Sequence, residues 1–189
     1  MVCSRFDQEN SQDPNSHAVN GVAEPRELFY SRQLTAWILK LAPDASEALR
    51  LAGRCQHLCR WLIPRDSYPA NRPGYLQWRN DLKKVHAAKA ATILEECGYD
   101  DEMVERVQSL NLKKNFPHDP DSQVLEDVLC LVFLEFQFED LASRTEEEKM
   151  VSVLRKSWNK MTPAGREHAL KLRFGPRERG LLEKALASA

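Results

Sequence analysis

In RCQHLCRWLIP, residues 54–64, His57 stands between Cys55 and Cys59, the residue types of a metal knot. Their spacing decides against one. Residues 44–61 read as a single helix with Asp44 as its N-cap, and Ala45, Ala48, Leu49, Ala52, Cys55, Cys59 and Leu62 share one apolar stripe. On that wheel His57 points roughly 160° away from the cysteine pair, so the three cannot chelate one ion. Cys55 and Cys59 are therefore expected to be small core residues, and His57 shares its face with Arg50 and Arg54. Either that face is plain solvated surface or it lines a cationic ligand site.

Two other polar residues occupy apolar stripes. Tyr75, Trp78, Leu82, Val85 and Ile93 place His86 near the centre of one stripe, and Val124, Val128 and Leu131 do the same for Glu135. A buried polar group without a partner costs about 1–3 kcal/mol, and a buried unpaired carboxylate costs more. The economical expectation is that His86 and Glu135 meet, directly or through a metal, with Asp127 on the same general side. Between these helices, Trp61, Tyr68, Tyr75 and Trp78 alternate with Arg60, Arg65, Arg72 and Arg79. Guanidinium groups grip phosphate in a bidentate fashion and rings stack, so this stretch suits an anion with a planar part. The same mixture also occurs in purely structural loops.

The elements that must position these residues read as helices throughout. Expected spans are 24–41, 44–61, 72–97 with Gly98 just beyond, 101–112, 121–141, 145–159, 162–171 with Thr162 as N-cap and Pro163 at N1, and 176–188. Strand alternation is nearly absent. The expected fold is an all-α single domain over 24–189, preceded over 1–23 by a short helix and a polar loop. A chain of 189 residues is long enough for one such core. The longest apolar run, Val128–Leu134, is far below the roughly 18 residues of a membrane span. Residues 1–10 lack the apolar stretch of a secretory signal, and the five scattered cysteines do not form a disulfide framework. A cytoplasmic protein with reduced thiols is expected. The net charge of −1 hides an asymmetry: residues 50–90 hold nine Lys/Arg against two Asp, and residues 91–150 hold sixteen Asp/Glu against five Lys/Arg.

Read together, LRLAGRCQHLCRWLIP, VHAAKAATILEECGYDDEMVERVQSL and EDVLCLVFLE resemble the HD superfamily of metal-dependent phosphohydrolases. On that resemblance His57 matches the His of the His-Asp pair, His86 the downstream helix-start His, and Glu135 the late Asp. Leu58 stands where the paired Asp belongs, and Phe29-Tyr30-Ser31-Arg32 where the first helix usually offers a histidine. A match over nearly the whole chain, carried by ELFYSRQLTAWILKLAPDASEALRLA, QHLCRWLIPRDSYP and NRPGYLQWRNDLKKVHAAKAATIL, is similar to the domain-of-unknown-function family 4202. The first resemblance implies an HD-like helical bundle; the second strengthens that fold and the position of the site and implies no established activity.

Three functions are carried forward. The first is an HD-like hydrolase of a phosphorylated or nucleotide-like small molecule. There one divalent cation is held by His57, His86 and Glu135, with Asp127 and Lys83 assisting the chemistry. Arg54, Arg60, Arg72 and Arg79, with Tyr75 and Trp78, hold the anionic substrate. The second is a non-catalytic module that keeps the pocket and binds an anionic metabolite. Nucleic-acid binding through residues 50–90 is disfavoured by the acidic neighbouring third and the lack of a recognition motif.

Overall fold

The structure, a computed structural model, describes residues 2–19 and 21–187. It is built of helices: α1 (Val2–Asn10), α2 (Arg26–Leu41), α3 (Glu47–Cys55), α4 (Arg72–Glu96), α5 (Asp101–Leu112), α6 (Pro120–Phe136), α7 (Phe138–Ser143), α8 (Glu147–Lys160), α9 (Pro163–Leu170) and α10 (Pro176–Leu186). Local capping explains most of the starts. Asn71, Asp100, Asp119 and Thr162 each accept a backbone N–H of the first turn, and Pro73, Pro120 and Pro163 sit in first turns where no donor is needed. The chain turns out of α4 at Gly98, whose φ of +84° suits glycine.

One core unites these helices. Leu34 and Ile38 of α2, Leu49 of α3, Leu94 of α4, Leu110 of α5 and Leu125 and Leu131 of α6 are all buried within it. Phe6 of α1 is fully enclosed in the same core, so the N-terminal helix is one of its walls rather than an appendage. α2 packs on α3 and α6, α4 on α5, and α8 on α10. No helix is long and apolar enough to cross a membrane among the described residues.

Three expectations needed correction. Residues 11–22 are not simply a polar loop: β1 (Ser16–Val19) and β2 (Val22–Pro25) pair as an antiparallel hairpin. Gly21 turns that chain at φ +80°, and the pair Asn20-Gly21 is a hairpin signal that the all-helical expectation passed over. The span 121–141 divides at Gln137 into α6 and α7. The third correction bears on the site. The span 44–61 is helical only over α3, capped by Ser46 rather than Asp44. Beyond Cys55 the backbone has other partners: Asn10 Oδ1 accepts from the N–H of Cys59 at 3.1 Å, and the carbonyl of Leu58 is engaged by His86. Cys59 takes a left-handed conformation at φ 55°, and short 3₁₀ turns at 60–62 and 65–67 lead to α4.

Candidate functional site

His57 and His86 do come together, at the point where α3 gives way to that turn. The rings lie edge to face with centroids 6.1 Å apart. His86, from the middle of α4, is 3% exposed. Its Nδ1 is 2.6 Å from the carbonyl oxygen of Leu58. A carbonyl only accepts, so Nδ1 carries the proton and Nε2 presents a lone pair. That Nε2 is buried with no hydrogen-bond partner among the described residues. Burial lowers the imidazole to about 4. His57 is also held below its ordinary value, by burial first and then by the positive charge of Arg60.

A third polar residue, absent from the expected set, completes this cluster. Glu27 opens α2, its backbone N–H donating to Asp13 Oδ2 at 3.0 Å, and its side chain is 3% exposed. Oε1 lies 3.6 Å from Arg26 Nε and 3.9 Å from Arg60 Nε, and Oε2 lies 3.8 Å from His57 Nδ1. Oε2 accepts no hydrogen bond among the described residues. Burial pushes the carboxyl up to about 7, against the pull of Arg60 and Arg26. Arg60 also lies over the Trp78 ring at 5.0 Å, and Trp78 donates its indole N–H to the Ile63 carbonyl at 2.9 Å. Tyr75 stands 5.9 Å from Trp78, exposed, with Arg79 over its ring.

Beside this cluster runs an open groove of about 700 Å³, lined among others by Leu76, Arg79, Lys83, Lys113, Glu126 and Lys160. Four cations thus face one carboxylate. Arg79 and Lys83 lie one turn apart on α4, and neither forms a salt bridge among the described residues. Lys113, just past α5 at φ 58°, and Lys160, at the end of α8, both bind the buried carboxylate of Glu126 on α6, Lys160 at 3.1 Å. Burial, then Lys113 and Arg79, keep the Lys83 ammonium below its ordinary value. Arg79 and Lys113 are also among the charges that depress His57, so the groove and the histidine pair share one field.

Other expected site residues have structural work elsewhere. Glu135 is exposed and accepts from Trp37 Nε1 at 2.7 Å, because α6 packs on α2 and the buried indole needs an acceptor. Asp127 accepts from the backbone N–H of Thr162 at 2.8 Å and from its hydroxyl, bracing the start of α9. Gly165 permits that approach: a Cβ there would meet the Asp127 carboxyl carbon at 2.7 Å. Arg54 forms a bidentate pair with Asp7 at 2.7 and 2.6 Å, tying α3 to α1. Arg72 is exposed at the start of α4 and is not part of the groove lining. Cys55 and Cys59 are buried free thiols, as expected.

The expected metal set therefore does not assemble. His57 and His86 meet, but Glu135 and Asp127 are engaged elsewhere, and no three His, Cys, Asp or Glu side chains converge to hold a metal ion among the described residues. Glu27, Lys113, Glu126 and Lys160 were missed. Glu126 alone had a usable signal, a charge beside Asp127 in the apolar run of α6. An acid at a helix start or a lysine at a helix end looks like an ordinary complement to the helix dipole.

The chain matches DUF4202, a domain of unknown function, over residues 1–182, and it belongs to that family. No curated protein and no solved structure matches it significantly.

Proposed function

For this member of the DUF4202 family we propose a binding function: the groove beside α4 takes a small phosphorylated anion. The observation that carries this reading is the gathering of Arg79, Lys83, Lys113 and Lys160 around a single carboxylate, in an open groove of about 700 Å³. A phosphate group carries about −1.5 to −2 charge near neutrality, which complements that surplus. Arg79 and Lys83, in no salt bridge among the described residues, are the available cations, and charge-assisted hydrogen bonds from them to the phosphate oxygens supply the affinity. A thermal-shift screen of phosphorylated metabolites tests the reading. Stabilisation that rises with ligand concentration and survives a chelator supports it, and no stabilisation by any phosphorylated compound counts against it.

A second reading, phosphoester hydrolysis, is favoured by Glu27, which lies against His57 and Arg60 and outside the groove lining. A buried carboxyl with a free oxygen and a pKa near 7 has the properties of a general base that takes a proton from water. His57, His86 and Glu27 do not converge as a donor set for a metal ion among the described residues. Release of phosphate from a bound ester, abolished in E27Q with binding retained, would establish this reading. Absence of release from every ester that binds would dismiss it.

A further inference from the structure

By counter-charge the cations of the groove fall into two halves, and Glu126 sets the division. The residue is 4% exposed, and among the described residues it supplies the only carboxylate of the lining. Its two oxygens are shared out: Oε2 takes Lys113 and Oε1 takes Lys160 at 3.1 Å. Those lysines come from different elements, one just past α5 and the other at the end of α8. The remaining cations, Arg79 and Lys83, form no salt bridge among the described residues. One half is thus an open anion seat. The other has the composition of an anion seat but already holds the protein's own carboxylate.

Resting on the binding function proposed above, we infer that Glu126 is a specificity-determining residue that limits the groove to ligands with one phosphoryl group. A monophosphate sits at Arg79 and Lys83 and leaves the ion-paired triad alone. A second phosphoryl group, as in a diphosphate, reaches Lys113 and Lys160 where Glu126 already sits, and must either displace that carboxylate or lie against its negative charge. Burial opposes ionisation of Glu126, and its lysines more than offset that, so the carboxylate stays charged and keeps its place. Burial, then Lys113 and Arg79, lower the Lys83 pKa, and Glu126 raises it, so the two halves lie within reach of each other's charge. An anion that arrives without displacing Glu126 meets its negative charge instead.

The test compares inorganic phosphate with pyrophosphate on the full chain by titration calorimetry, in wild type and in E126Q. Glutamine keeps the volume and removes the charge. In wild type the two anions should bind within about threefold of each other, although four cations line the groove. In E126Q pyrophosphate should gain at least about tenfold while phosphate changes by less than about threefold, and adding K160Q should cancel most of the gain. Equal gains for both anions, or none, would overturn the role of Glu126. Should E126Q fail to fold, the wild-type ratio still decides: pyrophosphate favoured by more than about tenfold refutes the inference. If phosphate fails to bind wild type, or binds it but is unaffected by loss of Arg79 and Lys83, the groove function itself falls and takes this inference with it.

Discussion

Replacing Glu27 by glutamine should make the protein progressively more stable than wild type as the pH rises. The carboxyl is raised from an ordinary 4.5 to about 7 by burial, with Arg60 and Arg26 recovering only part of the loss. Between those two values the unfolded chain has released this proton and the folded chain still holds it. Folding stability therefore falls as pH rises through that window, by about 1.4 kcal/mol per pH unit. His86 acts in the opposite sense. Its folded value of about 4 lies below the ordinary 6.5, so stability falls as pH drops across that interval, and His57 leans the same way. The wild-type profile is thus a partial cancellation, and the E27Q-minus-wild-type difference isolates Glu27. Integrating the shift, that difference should grow by roughly 2–3 kcal/mol from pH 5 to pH 8 in favour of E27Q. Urea unfolding followed by helical circular dichroism at several pH values measures it. Any fixed cost of placing an amide beside Arg26 and Arg60 shifts every point equally and does not change the slope. A difference that stays flat with pH would refute the buried, proton-retaining Glu27.

Asp127→Ala should lower stability by about 1–3 kcal/mol, because the Thr162 N–H and hydroxyl lose their acceptor, and should leave phosphate affinity unchanged. Chemical denaturation and calorimetry on the same variant separate the two effects. Arg54→Ala should likewise act on stability alone, by about 1–2 kcal/mol, since its guanidinium is committed to Asp7. A loss of anion binding in that variant, with its fold intact, would return Arg54 to the ligand site.

What could be read from the sequence was local. The start at Thr162-Pro163 follows from a capping side chain followed by a first-turn proline, the span 101–112 opens behind a capping aspartate, and Gly98 marks the end of α4. Burial of His86 and Cys55 followed from helical periodicity; Cys59 is buried as well, although the helix that predicted it ends at Cys55. What could not be read was the choice of partner across the core. Periodicity placed His86 and Glu135 in apolar stripes, but it could not say that Leu58 would offer a carbonyl to one and Trp37 an indole to the other. The break after Cys55 has the same origin. Asn10, 49 residues before Cys59, captures the N–H that would otherwise extend the helix. Lys113 and Lys160, at the ends of two separate helices that pack on α6, meet at the buried carboxylate of Glu126.

The most direct test of the groove is a calorimetric titration of inorganic phosphate into wild type and into the double variant R79A/K83A, in the presence of a chelator. Neither side chain is committed to a salt bridge among the described residues, so the double variant should keep its helical content and melting temperature. The account predicts saturable binding to wild type and a loss of at least about tenfold in affinity for the variant. Equal affinity for the two proteins, or no binding to a folded wild type, would contradict it.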